Sequence, residues 1–542
     1  MSRTRVAAVL LVAAAILLGP SLVLGTMASH SSPQNLTWAE QFADQFRAGV
    51  LYPRALPQSF DHLVGPAFYF YPPLAFWVDA LLSVVTFNAV SVSYRLSLSW
   101  LLLLWASGLA MHAWLKEGGL SPRAALYGAL GYMAAPYHLL DHYYRGAYAE
   151  FAAYAVLPLV TLAIHRIAEG RRFAVALLAV GYAALPMAHL PTSLLISLTV
   201  LPLYVLYRGW RLGERSAALA FFARCMLGAA LGLGLAAIYL VPALSLQDWI
   251  PSDTFWSSDY HVDNWFLLTP QRWPKGGVEM AWIIASIAAG YALAAVGVLL
   301  MAQRRSEAAF WAAVSLLCLL LIAGVVPWFW QLPFVAKVQF PWRLMIVVEF
   351  AGITGLARAP WPAPSRLSRI ALAAALAALI PGLASMAEGI VGRMQLARAG
   401  EAEPPAELRQ FLPAGYPQKP NAGYAELSLD PVQNLPAVAC TPQPRVCRAS
   451  DEAFGAMRVE VEADRPTTVV LRRFFYPFWR LDPPQAIVPT EPLKLVSFEA
   501  APGAHVYRLA AVAVPAEKIG WLISGLSLAL LVGLAAFSRR FR

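Results

Sequence analysis

A chain of 542 residues that is 59% hydrophobic and only 13% charged, with 18 tryptophans and a mean hydropathy of +0.56, belongs to the polytopic membrane class and not to the soluble one. Its length leaves room for about a dozen apolar crossings of ~20 residues each plus one soluble module. The formal charge of +10 does not mark a nucleic-acid partner, because the basic residues stand in short clusters between apolar runs.

In chain order, Arg3 and Arg5 precede a first apolar run, 6 to 25, that lacks a small-residue cleavage pattern and reads as a retained anchor. Further runs fall at 92–115, 122–140, 149–167, 172–188, 190–207, 219–244, 281–302, 308–328, 343–357, 368–387 and 519–537. The basic clusters between them are Lys116 and Arg123, then Arg166, Arg171 and Arg172, then Arg208, Arg211 and Arg215, then Arg304 and Arg305, then Arg358, Arg366 and Arg369, and a tail of Arg539, Arg540 and Arg542. The positive-inside rule places all of them on the cytoplasmic side, which predicts a multi-pass protein of about 12 transmembrane helices with both termini cytoplasmic. One more run, 73 to 88, begins with Pro73, carries Asp79 and would invert every later loop. It is expected as a short interfacial or re-entrant helix.

Four segments then face outward: a long first loop (26–91), the turn Asp141 to Glu150, a loop at 245–280, and a module at 388–516. The module is Pro-rich and alternates at period two, as in Met457-Arg458-Val459-Glu460-Val461-Glu462, so a small β domain is expected, entered by an extended lead-in at 402–422 and ending in a strand bearing Phe474 to Trp479. The predicted organisation is a transmembrane domain (1–387), an extracytoplasmic β-rich domain (388–516) and a final helix with a basic tail (517–542). Cys440 and Cys447 lie in the outward module and are expected to pair in an oxidising compartment, while Cys225 and Cys318 lie in apolar spans as packing residues. None of the nine His has a partner at metal-ligand spacing, so no metal site is expected.

The decapeptide Asp141-His142-Tyr143-Tyr144-Arg145-Gly146-Ala147-Tyr148-Ala149-Glu150 stands out, being charged and wedged between two membrane-length runs. Ionisable groups at membrane depth cost about 2.5–3.5 kcal/mol at a helix centre on insertion scales, so they face a cavity, pair, or serve a site. Asp141, Arg145 and Glu150 therefore read either as a substrate site or as a salt-bridge network joining two span ends. No GxSxG, Walker lysine or GxGxxG pattern is present, so nucleotide handling is unsupported.

Four segments carry a family resemblance: Gly65-Pro66-Ala67-Phe68-Tyr69-Phe70-Tyr71-Pro72-Pro73-Leu74, Tyr144-Arg145-Gly146-Ala147-Tyr148-Ala149-Glu150, Ala188-His189-Leu190-Pro191-Thr192 and Gln339-Phe340-Pro341-Trp342-Arg343. Together they resemble the bacterial membrane proteins labelled 6-pyruvoyl-tetrahydropterin synthase-related. More distantly the plan is similar to the YfhO-like proteins and other GT-C glycosyltransferases. The label does not extend to the soluble pterin enzyme, a small zinc protein.

The resemblance implies a GT-C-like α-helical membrane domain in the bacterial inner (plasma) membrane. It also implies a glycosyltransferase that takes a sugar from a polyprenyl-phosphate donor to an envelope glycan or lipid acceptor on the extracytoplasmic face. The alternative is a non-catalytic transporter or assembly partner in surface polysaccharide export. No cofactor is required and a divalent cation is compatible. Chemistry of this kind needs a carboxylate to deprotonate the acceptor hydroxyl and Arg or Lys to bind phosphate.

The catalytic candidates are Glu40, Asp44 and Asp61 of the first loop, with Glu150 in reserve. The substrate-binding candidates are Arg54, Asp141, Arg145, His189 and Arg343, each with a structural alternative: an interfacial anchor for Arg54 and Arg343, a hydrogen-bonded turn for His189, a solvated helix face for Glu40 and Asp44. The relatives' pattern has an Asp and a His where this chain has Ser31 and Asn35. Asp253, Asp259 and Asp263 interleave with Trp256, Tyr260 and Trp265, a mixture suited to sugar stacking or to an interfacial belt.

Overall fold

The long apolar runs become the long helices, several of them with Gly or Pro inside, and two runs break next to a proline, at Leu18 before Pro20 and ahead of Pro136. The structure is a computed structural model describing residues 2–252, 260–273, 277–303, 306–361, 364–399, 408–417 and 429–540. Asp253, Trp256, Asp259, Arg304, Arg305, Arg542 and most of the 402–422 lead-in lie outside the described residues.

The membrane part comprises α1 (Arg3–Leu17), α2 (Gly19–Leu24), α3 (Ser32–Arg47), α4 (Leu74–Val85), α5 (Val92–Glu117), α6 (Pro122–Met133), α7 (Pro136–Leu140), α8 (Tyr148–Ala168), α9 (Ala174–Ala188), α10 (Leu190–Leu198), α11 (Val200–Arg211), α12 (Arg215–Leu235), α13 (Ala237–Ser245), α14 (Val278–Met301), α15 (Glu307–Ile322), α16 (Met345–Arg358), α17 (Arg366–Arg398) and α18 (Pro515–Arg540). Among the described residues, seven helices are long and apolar enough to cross a membrane: α5, α8, the joined α10 and α11, α12, α14, α17 and α18. The other five expected runs are short or divided. The first breaks at Leu18 before Pro20, and that at 122–140 breaks before Pro136. Those at 172–188, 308–328 and 343–357 give helices of 15, 16 and 14 residues.

Of the long helices α8 is the most enclosed, with 78% of its apolar window buried, whereas α17 and α18 bury only 22% and 17% and form the periphery. The run at 73–88 becomes the 12-residue α4. At 1.5 Å per residue it extends ~18 Å, well short of a ~30 Å hydrocarbon core.

One end of the bundle is tied together by ion pairs between the expected basic clusters and helix-terminal glutamates. Arg166 meets Glu117 at 2.7 Å, Arg208 meets Glu169 at 2.6 Å, and Arg358 meets Glu307 and the Gly118 carbonyl at 2.9 Å each. The opposite end carries the first loop, the 141–146 turn and the β domain.

The β domain is two four-stranded antiparallel sheets. One has the order β1 (Val438–Thr441), β4 (Thr467–Phe474), β7 (Leu495–Ala500), β6 (Val488–Pro489); the other has β2 (Val446–Asp451), β3 (Met457–Ala463), β8 (Gly503–Ala511), β5 (Trp479–Asp482). Alternation in β3 and β4 buries one face of each, Val459, Val461, Val469 and Leu471 included. A disulfide joins Cys440 of β1 to Cys447 of β2, one strand in each sheet. Cys225 and Cys318 are buried and free.

Two expectations about this region change. Residues 388–398, assigned to the β module, continue α17 to a total of 33 residues, ~50 Å of helix that carries the chain out of the bundle. The segment Phe474 to Trp479 does not end the module. It closes β4 and opens β5, and three further strands follow. Its aromatic side chains are spent on packing: Phe474, Tyr476, Phe478 and Trp479 are buried, with Phe478 stacked on Tyr69 of the first loop at 5.7 Å.

Candidate functional site

The charged decapeptide folds as a π-helical turn, Asp141–Arg145, following directly on α7 and closing at Gly146 in the left-handed region. Single π turns widen a helix and recur at functional sites. Here the turn brings Asp141 and Arg145 side by side, and Arg145 Nη1 donates to Asp141 Oδ1. Gly146 has φ +59°, and a Cβ there would lie 2.3 Å from Ser29 Oγ. That close approach seats the start of the first loop on the turn: His30 and Ser31 N–H donate to the Tyr144 and Arg145 carbonyls at 3.1 Å, and Asn35 Nδ2 donates to the Gly146 carbonyl at 2.7 Å.

Beneath this lid lies a buried polar cluster. Arg145 Nη1 reaches Glu150 Oε2 at 2.9 Å and the Tyr137 hydroxyl at 2.7 Å, and that hydroxyl donates to Glu150 Oε1 at 2.8 Å. Arg343 Nε stands 3.5 Å from the same Glu150 Oε2, and its guanidinium also donates to the Val338 carbonyl. One carboxylate oxygen thus holds two guanidinium groups next to each other. Asp141 Oδ2 is buried with no partner among the described residues. Burial, then the nearby Glu150 charge, pushes the Asp141 carboxyl well above the usual carboxylate range despite Arg145. His189, at the break between α9 and α10, hydrogen-bonds Thr192 Oγ1 at 2.7 Å, and burial keeps its imidazole neutral.

The structure therefore brings together Asp141, Arg145, Glu150 and Arg343, with His189 beside them. It places the first-loop candidates elsewhere. Asn35 faces the turn, but Glu40 is five residues further along the same helix, ~140° around it, and Asp44 is nine residues further and ~180° around. Both are exposed, and Asp44 pairs with Arg47. Asp61 pairs with Arg472 of the β domain. Arg54 is buried against Glu517 of α18 at 2.8 Å and donates to the Ile238 carbonyl at 2.7 Å. Asp79 of α4 is buried against Arg95 of α5 at 3.1 Å. Trp265 packs on Trp342, ring centroids 5.0 Å apart, leaving its buried ring to brace the Arg343 segment.

Glu349 escaped the sequence reading. It is fully buried and accepts from Tyr137 N at 2.7 Å, His138 N at 3.2 Å and the Tyr154 hydroxyl at 2.8 Å, so it anchors the N-terminus of α7 and with it Tyr137. The available signal was a lone acid inside an apolar run. No group of three or more His, Cys, Asp or Glu able to hold a metal ion occurs among the described residues.

A family model described as 6-pyruvoyl-tetrahydropterin synthase related domain, membrane protein, matches residues 68–389, more than half of the chain. Among curated proteins, none matches this sequence. Among solved structures, arabinofuranosyltransferase AftD from Mycobacteria is similar with a TM-score of 0.44 and 19% identity, over 76% of this chain and 29% of that one. The chain thus spans under a third of the length of that protein.

Proposed function

The chain belongs to the family of membrane proteins that carry the 6-pyruvoyl-tetrahydropterin synthase related domain, and from its buried arginine–carboxylate cluster we propose that it is a membrane glycosyltransferase. It moves a sugar from a polyprenyl-phosphate donor to an envelope glycan or lipid acceptor on the extracytoplasmic face of a bacterial inner membrane. Twelve crossings with both termini cytoplasmic are part of this proposal. The ion-paired basic end of the bundle and the β domain at the other end support it.

The carrying observation is that Arg145 and Arg343 share Glu150 Oε2. Two adjacent guanidinium groups are a phosphate receptor, since each presents forked donors. As the bond from the anomeric carbon to the phosphate oxygen breaks, they stabilise the charge gathering on the leaving phosphate. Glu150 accepts from the Tyr137 hydroxyl on one oxygen and forms ion pairs with both arginines through the other, and so serves to position the arginines. Asp141, with a free oxygen and an elevated pKa, is the better base: it takes the proton from the acceptor hydroxyl as that oxygen bonds to the sugar. Glu40 and Asp44 are exposed and turned away from this cluster and Asp61 pairs with Arg472, so the scheme gives these three no step. A divalent cation is compatible with the chemistry and not required by it.

The test is turnover of synthetic polyprenyl-phosphate pentoses and hexoses by the purified protein in nanodiscs. Arg145→Ala and Arg343→Ala are expected to lower kcat about 100-fold or more, and Asp141→Asn about 100-fold. The rate should rise with pH through a pKa above the ordinary carboxylate range, and Asp141→Asn should abolish that limb. Absence of turnover with every donor, or turnover unchanged in all three variants, overturns the proposal.

A second reading has one observation in its favour. Spans are interrupted before Pro136, at Thr199 and at Ala236, and transporters build substrate sites from such broken helices. Sugar flux into proteoliposomes without donor consumption would select a transporter or export partner.

A further inference from the structure

A second site lies away from the arginine cluster, where α3, the 57–62 loop and the β2–β3 connection enclose a cavity of about 270 Å³. Its walls include Gln41 and Asp44 of α3, His62, and Asp451, Phe454 and Arg473 of the β domain. We infer that this cavity binds a neutral saccharide chain. As a contribution to catalysis it would hold the acceptor glycan, and only that role rests on the glycosyltransferase reading.

Three features carry the inference. Strain comes first: His62 on one wall has φ of +63°, with Phe60, Asp61 and Val64 of the loop behind it at +56°, +55° and +69°, and Phe454 on the other wall has +59°. Non-glycine residues in this region cost on the order of 1–3 kcal/mol each and cluster at ligand clamps. Phe60 and Val64 recover that cost by being buried, but Phe454 is 42% exposed. A large apolar ring held in a strained backbone at a cavity rim gains little in the free protein, whereas it would stack on the apolar face of a sugar.

The second feature is the bulge in β4. Pairing with β7 runs through Leu471 and resumes at Phe474, skipping Arg472 and Arg473. Bulges re-aim side chains. This one sends Arg472 to Asp61 and Arg473 to Asp451 and the Gly455 carbonyl, fixing both walls. Gly455, at φ +78°, lets the walls meet, since a Cβ there would lie 2.7 Å from Val64.

The third is charge. The carboxylates on the walls, Asp44, Asp451 and Glu452, are each balanced by one arginine: Arg47, Arg473 and Arg508. Three acids against three bases leave no net charge for an anionic ligand, yet the paired carboxylates and the glutamines retain acceptor capacity for hydroxyl donors. The volume is close to the roughly 300 Å³ at which ligand clefts begin, enough for about one or two sugar rings.

The experiment incubates full-length protein in nanodiscs with an immobilised array of neutral pentose and hexose oligosaccharides two to six units long. At least one should be retained, and Phe454→Ala and Asp44→Ala should each weaken that binding about tenfold or more. Phe454→Gly should lose binding while holding or raising Tm, because glycine relieves the backbone strain as it removes the ring. Retention of no oligosaccharide, or binding undiminished in Phe454→Gly and Asp44→Ala, overturns the inference. Glycan binding without any sugar transfer would uphold this site and sink the enzyme reading.

Discussion

Glu349 lies in the run Ile346-Val347-Val348-Glu349-Phe350-Ala351 and accepts three hydrogen bonds from buried donors. Glu349→Ala would leave those three without an acceptor, at about 1 kcal/mol or more each, so a loss of about 3 kcal/mol is expected in detergent unfolding. Glu349→Gln keeps one carbonyl oxygen and should lose less; equal losses would contradict the capping role. At this scale, charge inside an apolar stretch was the readable signal. It marked Asp141, Arg145 and Glu150, and it would have marked Glu349. Which of two acids is held and which is free was not readable, because that depends on Tyr137 and Arg343, which reach Glu150 from other elements. Glu40 and Asp44 looked suitable by residue type, but helix rotation fixed by Asn35 on Gly146 turns them away from the cluster.

At the scale of elements, period-two alternation forecast the β domain and apolar length forecast the long helices. The breaks before Pro136 and at Leu18 follow from Pro chemistry visible in the chain. The bulge in β4 did not announce itself, since the skipping of Arg472 and Arg473 is defined only by the register with β7. The Cys440–Cys447 bridge spans a sequence separation of 7 and joins the first strands of both sheets. Loop-closure entropy for so short a loop is worth about 2.5 kcal/mol, so Cys440→Ser with Cys447→Ser should make the β domain more sensitive to trypsin under native conditions. The helices should melt at an unchanged temperature in the same variant; a matching loss there would mean that the two regions unfold as one.

For the whole molecule, the first loop is the fastener. It reaches the bundle through Asn35, the β domain through Asp61 and Val64, and the final helix through Arg54. Arg54→Ala strands a buried Glu517 carboxylate, which costs about 3–5 kcal/mol when one partner is removed. Arg54→Met combined with Glu517→Met should recover most of that in thermal melts, as expected of a structural pair. A double variant as unstable as Arg54→Ala would argue for another role. The sequence by itself determined that this is a membrane protein with a β module near its C-terminus, because hydropathy and alternation are local properties that burial reads directly. It also determined that the 141–150 turn matters, because isolated charge at membrane depth is costly wherever it falls. Only the tertiary structure decided which carboxylates meet which arginines, since those partners lie far apart in the chain, as Glu150 and Arg343 or Arg54 and Glu517 do, and a helix rotation of half a turn separates contact from exposure.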